Sequence, residues 1–175
     1  MYPLWINVLG FQLGWWACIL GVGSPLEVPS MVLALGLVAW HVSRISHPLP
    51  ELTLAGVSLV LGVLTDTVLQ TVGVIDFYGW HLGPLSPFWL WALWLLFAMT
   101  LNASLAFLQR WPLWVSALLG VLFGPLTYHT GVALGAAAMA DRTVATLWIG
   151  AAWLLALPLL VFFARSLSHT TRGDT

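Results

Sequence analysis

One acidic residue, Asp66, is the most informative candidate for chemistry in this chain. It lies within the run GVLTDTVLQTVG, far in sequence from any arginine. Gly62, Gln70 and Gly73 share a helical face with it, because residues three or four apart lie on one side of a helix. A charged carboxylate at the centre of a bilayer costs about 2.5–3.5 kcal/mol, so we expect it to be paired, hydrated or protonated. Two interpretations stay open: a hydrogen bond that fixes helix packing, or a carboxylate that carries protons or binds substrate.

Two residues of a later apolar span, Tyr128 and His129, are expected near the depth of Asp66. At 1.5 Å per residue, Asp66 lies about 10 Å from the outer end of its helix, and the pair lies about 24–26 Å from the start of its own. The sequence therefore predicts a candidate polar site in the outer half of the protein, built from Asp66, Gln70, Tyr128 and His129. For His129, a hydrogen bond to a backbone carbonyl is the alternative.

Known catalytic signatures are absent from the sequence. It has no Walker A loop, no HExxH, no G-x-S-x-G and no set of histidine boxes. Asp76 and His81 share residue types with metal ligands, but a convincing site needs three or four of them. We predict no metal site and no cofactor, and catalytic residues stay unknown.

The composition places the chain in the membrane class. It is 61% hydrophobic and 6% charged, whereas a soluble domain carries about a quarter charged residues. A formal net charge of −1 gives no reason to expect a nucleic-acid partner. Membrane lipid is the expected partner.

Six stretches are long and apolar enough for transmembrane helices, each needing about 20 residues to cross a bilayer core. We predict an all-α integral membrane bundle of about six such helices, forming a single domain over residues 1–175. The expected spans are residues 4–22, 27–46, 52–73, 87–108, 112–138 and 145–165. The outer loop 74–86 is the longest connection, and whether it caps a site is left open.

Arginines set the expected orientation. With six spans, four of the five arginines fall on one side of the membrane, and only Arg142 falls on the other. Because positive charge favours the cytoplasmic side, both termini are predicted to be cytoplasmic. The four are Arg44, Arg110, Arg165 and Arg172. Tryptophans near the predicted span ends suit the membrane interface; they are Trp5, Trp40, Trp80, Trp89, Trp111 and Trp114.

Small and polar residues mark the expected helix contacts. Small residues four apart let helices approach closely in lipid, and an amide such as that of Asn102 can cross-bond helices. The predicted packing residues are Gly10, Gly14, Gly120, Gly124, Gly131, Gly135 and Asn102. A homo-oligomer through these glycine faces is possible on this pattern. Pro125 after Gly124 predicts a fifth helix that is kinked or broken.

Nearly the whole chain resembles a family of small bacterial inner-membrane proteins of unknown function. The most specific positions are Trp94, Asn102, Ser104, Gly124-Pro125, Tyr128 and Gly131. The segments that carry the resemblance are NVLGFQLGWWACILG, LGVLTDTVLQTVG, ALWLLFAMTLNASLAFL and LLGVLFGPLTYHTGVALGA. The family brings no catalytic residue, but its members often neighbour genes for fatty-acid modification and for light or oxidative-stress responses. The resemblance implies an inner-membrane location and a role in envelope lipids.

Several functions fit these observations. The leading hypothesis is a lipid-linked accessory or carrier protein whose polar site is built around Asp66. The alternatives are a small proton-coupled transporter or channel, an integral-membrane enzyme acting on acyl chains, and a purely structural partner subunit.

Overall fold

The computed structural model describes residues 4–173, and the side chains of residues 4–168. The side chain of Arg172, used above for the orientation, lies outside them. Within this part the chain forms six α-helices, one 3₁₀ helix and two short strands. The elements are α1 (Leu4–Gly21), α2 (Glu27–Ser43), α3 (Pro48–Thr71), β1 (Asp76–Phe77), α4 (Phe88–Leu101), the 3₁₀ helix (Ala106–Arg110), α5 (Leu113–Ala133), β2 (Ala137–Ala138) and α6 (Arg142–Gly173). The prediction of an all-α bundle is confirmed.

Four of the helices are long and apolar enough to cross a membrane: α1, α3, α5 and α6. The other two, α2 and α4, are apolar but have only 17 and 14 residues. Large apolar side chains cover the outside of the bundle, among them Leu64, Leu122 and Leu155. Continuous apolar surface of this kind marks contact with a membrane or a partner. Helix composition and surface together indicate a membrane protein.

The fourth helix lies at the centre of the bundle. α4 packs against α1, α2 and α3, while α5 packs mainly against α6. Nearly every residue of α4 is apolar and nine are buried, as expected for a helix surrounded by others. Among the described residues, α1 and α5 make no substantial packing contact. A space is therefore left between these two helices, with α4 behind it.

The fourth predicted span, 87–108, is not one continuous helix. α4 ends at Leu101, and a turn leads into the 3₁₀ helix. The Asn102 amide nitrogen donates to the Glu51 carboxylate at 3.0 Å, and its oxygen accepts from Gln109 at 2.7 Å. The hydroxyl of Ser104 donates to Asn7 at 2.6 Å. Hydrogen bonds of such polar side chains offer an alternative to the regular hydrogen bonds of a helix, which explains why α4 ends at Leu101. Asn102 thus ties the end of α4 to α3.

The fifth predicted span, 112–138, is also shorter in the structure. α5 ends at Ala133, and Ala137 and Ala138 pair antiparallel with Phe77 and Asp76 of β1. Gly135 therefore lies in a turn, with φ +83°, a conformation that favours glycine. It is not a helix-packing residue, because it follows the end of the helix.

The fifth helix is not broken at Pro125. α5 runs without interruption from Leu113 to Ala133 through this proline. The hydroxyls of Thr127 and Thr130 donate to the carbonyls of Phe123 and Leu126, one turn earlier. The neighbouring α6 packs extensively against α5. Packing against a long partner keeps the helix intact although proline removes one backbone donor.

The predicted packing glycines have different environments. A Cβ at Gly120 would overlap the backbone carbonyl of Trp153, and one at Gly124 would overlap the Trp153 ring. A Cβ at Gly14 would overlap a methyl group of Leu96. At Gly131 it would meet open space, although the residue lies on the same helix. The close contacts of Gly14, Gly120 and Gly124 are all within the chain.

These environments predict opposite effects of one substitution at two positions of α5. Gly120→Ala must push α6 away and should lower the free energy of unfolding by about 1–3 kcal/mol. Gly131→Ala fills open space and gains helix propensity, so it should raise that free energy by up to about 1 kcal/mol. Denaturant titration of the purified protein in detergent measures both. Equal stability of the two variants would contradict the glycine contacts described here.

Candidate functional site

The Asp66 carboxylate joins three helices in the middle of the bundle. Asp66 is fully buried on α3. One of its oxygens accepts a hydrogen bond from the indole N–H of Trp94 on α4 at 2.7 Å. The other accepts from the phenol of Tyr128 on α5 at 2.5 Å. Each oxygen of the acid thus has a neutral donor as its partner.

The aromatic rings around Asp66 fit because α3 carries a glycine at the contact. A Cβ at Gly62, one turn before Asp66, would overlap the indole of Trp94. Trp94 stacks on Trp153 of α6, with centroids 5.2 Å apart and planes at 18°. Trp153 in turn meets Tyr128 edge to face at 6.5 Å. Such geometries are the favoured ones for aromatic pairs, so α3, α4, α5 and α6 are joined here by specific contacts.

The structure brings together only part of the predicted polar site. Asp66 and Tyr128 are in direct contact. Gln70 lies one turn further along α3, and its buried amide oxygen has no hydrogen-bond partner among the described residues. His129 instead faces α6, where its Nε2 lies 2.7 Å from the hydroxyl of Thr146. Adjacent residues of a helix point about 100° apart, so Tyr128 and His129 cannot both face Asp66.

A cavity of about 660 Å³ lies between α1, α4, α5 and α6. This volume is within the range of about 300–1,000 Å³ that is usual for small-molecule sites. Its walls are largely apolar and include five tryptophans, Trp15, Trp89, Trp94, Trp111 and Trp153. Its polar lining residues are Gln12, Thr100, Ser104, Thr127 and Tyr128. Asp66 lies behind this wall and fixes two of the rings that form it.

The loop between α3 and α4 covers one end of the cavity. Phe77 of β1 packs on Tyr128 at 6.0 Å and on Trp89 at 6.3 Å between ring centroids. Buried Glu27 of α2 holds the loop, since one carboxylate oxygen accepts the backbone N–H of Trp80 at 2.7 Å. Its other oxygen accepts that of Gly23 at 3.0 Å. The loop is therefore a cap tied to the turn between α1 and α2.

The cavity is open at the surface of the bundle, between α1 and α5. Four of its apolar lining residues are exposed: Val8 by 41%, Phe107 by 43%, Trp111 by 50% and Phe123 by 54%. Their helices and the 3₁₀ helix border the space left between α1 and α5. The surface around this opening is largely apolar.

Sequence reasoning missed the tryptophans that build the site. The positions of Trp89 and Trp111 near span ends suggest the membrane interface, and the structure adds that both line the cavity. Trp94 and Trp153 lie in the middle of apolar stretches, where an interface role does not explain an indole. The glycines at positions 62 and 124, which make room for these two rings, are the signal that could have pointed to them.

The hydrogen bonds of Asp66 predict a measurable coupling with Tyr128. Asp66→Asn replaces one acceptor by a donor, so one buried donor loses its partner and stability should fall by about 1–3 kcal/mol. Tyr128→Phe should cost a similar amount, since it leaves one oxygen of the acid unpartnered. The double variant should lose less than the sum of the two, as measured by denaturant titration in detergent.

A matched control for this prediction is Tyr78→Phe. Tyr78 is exposed in the cap, and its substitution should change stability by no more than about 0.5 kcal/mol. Additive losses for the Asp66 and Tyr128 variants would contradict the coupling.

Comparison with known proteins gives one family match. The model of a family described as “Protein of unknown function (DUF2878)” matches residues 4–159. No match is found among curated proteins or among solved structures. The resemblance to a family of unknown function is thereby confirmed. With most of its length matched, the chain belongs to the family of proteins of unknown function DUF2878.

Proposed function

We propose that this protein binds the acyl chain of a membrane lipid in its cavity and acts as a lipid-linked accessory or carrier protein. The observation that carries the proposal is the cavity of about 660 Å³ with its opening between α1 and α5. An acyl chain dissolved in the bilayer can enter such an opening sideways, without passing through water. The apolar walls and the few polar lining groups suit an amphiphile better than a polar metabolite.

The selectivity of the cavity for one acyl chain over another depends on what surrounds the chain before it binds. A chain that leaves the bilayer for the cavity moves from one apolar medium to another, so the hydrophobic effect contributes little. Binding must then depend on close packing with the walls and on hydrogen bonds. The stacked pair of Trp94 and Trp153, held by Asp66, supplies a rigid surface for that packing.

The proposal includes the location of the protein in the cell. We infer a multi-pass protein of the bacterial inner membrane, with both termini in the cytoplasm and a role in the envelope or in stress response. The positive-inside rule supports the orientation. Arg44 directly follows α2, and Arg110 is the last residue of the 3₁₀ helix, both at the proposed cytoplasmic end of the bundle. Arg165 lies near that end of α6, and Arg142 begins α6 at the opposite end.

An enzyme acting on acyl chains is the second candidate. It is favoured by the phenol of Tyr128, which lines the cavity and is hydrogen-bonded to Asp66. Lipid mass spectrometry of a deletion strain tests it: a lipid change restored by the wild type and not by Tyr128→Phe supports catalysis. Restoration by both proteins would argue against an acid–base role for Tyr128. A proton-coupled transporter has less support, because both oxygens of the fully buried Asp66 are already bonded.

Filling the cavity tests the lipid-binding proposal directly. Gly131 lines the cavity, and its Cβ position is open space, so Gly131→Leu should reduce the volume without disturbing the helices. Brominated stearate should quench the tryptophan fluorescence of the detergent-purified wild type saturably, since five indoles line the cavity. The affinity of Gly131→Leu should be at least about tenfold lower, a loss of about 1.4 kcal/mol of binding free energy.

The control is Gly36→Leu. Gly36 is also helical, and a Cβ there also meets open space, but it is exposed on α2 and does not line the cavity. Its variant should bind brominated stearate as the wild type does. Quenching that does not saturate, or that is equal in Gly131→Leu and Gly36→Leu, would contradict the proposal.

A further inference from the structure

One polar side chain of the cavity, that of Gln12, has no hydrogen-bond partner in the part of the chain that the structure describes. It lies eight residues after the start of α1 at Leu4 and nine before its end at Gly21. At 1.5 Å per residue it is therefore about 12–14 Å from either end of the helix. The side chain is exposed and lines the cavity. It makes no hydrogen bond among the described residues, unlike the buried Asn7 of the same helix, which bonds Met99 and Ser104.

An amide at this depth requires a partner. In hydrocarbon, no water is present to satisfy its N–H and C=O groups, and leaving them unpaired is costly. A glutamine side chain is also too short to reach the membrane interface across about 12 Å of helix. Its position on the cavity wall leaves a bound ligand as the source of the missing hydrogen bonds.

Two other polar groups of the cavity wall restrict which functional group the ligand carries. Thr127 lines the cavity on α5, the other helix at the opening, and donates its own proton to the Phe123 carbonyl at 2.8 Å. Tyr128 likewise donates its proton to Asp66. Both oxygens are left as acceptors, whereas the Gln12 amide offers donors and an acceptor. A hydroxyl group fits this set, because it accepts from the Gln12 N–H and donates to an oxygen of the wall.

We propose that the cavity selects an acyl chain with a hydroxyl group partway along its length, and that Gln12 recognises this hydroxyl. The inference rests on the proposed function, in which the cavity holds an acyl chain. To that function, the inference adds the chemical class of the acyl chain and the residue that recognises its hydroxyl group. The chain on both sides of the hydroxyl packs on walls that are largely apolar.

Competition against brominated stearate tests the proposal. The competitors are stearate and hydroxystearates with the hydroxyl at the α-carbon, at mid-chain or at the ω-carbon. For the wild type, mid-chain hydroxystearate should compete about fivefold better than stearate, the effect of roughly one hydrogen bond. The α- and ω-hydroxystearates should show no such advantage. In Gln12→Leu, mid-chain hydroxystearate and stearate should compete equally well, so that the preference is lost.

Thr53→Val is the matched control. Thr53 is exposed on α3, away from the cavity, and its hydroxyl donates only to the Leu49 carbonyl. This variant should keep the preference of the wild type. A lysophospholipid with the same mid-chain hydroxyl distinguishes the sources of the chain. Tighter binding than the free acid identifies an esterified lipid, weaker binding a free fatty acid, and both results support recognition of the hydroxyl.

Three outcomes would overturn the inference. If the wild type binds all the stearates equally, Gln12 does not recognise a hydroxyl group, although the proposal that the cavity binds an acyl chain is unaffected. If Gln12→Leu changes the oligomeric state in detergent, the amide is a contact between copies of the chain. If stearate does not bind to the wild type at all, the proposed function fails together with this inference.

Discussion

The interaction on which the site depends is the pair of hydrogen bonds to the Asp66 carboxylate. A carboxylate enclosed by apolar helices is stable only if its oxygens have donors, and here Trp94 and Tyr128 supply them. Because both donors are rings of the cavity wall, satisfying the acid also fixes the wall. The glycine at position 62 lets α3 approach the indole closely enough for this contact. The hydrogen bonds that satisfy the acid therefore also determine the shape of the cavity.

Two other buried acids connect distant segments in the same way. Glu27 accepts hydrogen bonds from backbone N–H groups of the cap and of the turn after α1, at one end of the bundle. Glu51 accepts from Asn102, where α4 ends, at the opposite end. Within the described residues, three acids therefore hold the middle and both ends of a bundle whose helices are otherwise apolar. In hydrocarbon, where apolar contacts do not distinguish protein from lipid, such hydrogen bonds and close packing specify the arrangement.

The cavity follows from how these connections divide the helices. α1, α2 and α3 surround α4, whereas α5 packs mainly against α6. The Asp66–Tyr128 bond and the cap link α5 to the centre of the bundle. The space between α1 and α5 remains open to the surface. A largely apolar site lined by aromatic rings suits the lipid chain that we propose, and Gln12 offers that chain a hydrogen-bonding group.

The sequence by itself determined the features that local physics controls. Composition and the length of apolar runs gave six helices, and the rise per residue gave similar depths for Asp66 and Tyr128. It did not decide that Tyr128 and not His129 meets Asp66, nor that Asn102 ends α4. It also did not distinguish Gly120, pressed against α6, from Gly131, which faces open space. These outcomes depend on the rotation of each helix about its axis and on which helices become neighbours. Contacts between residues far apart in the chain set both, so only the tertiary structure decided them.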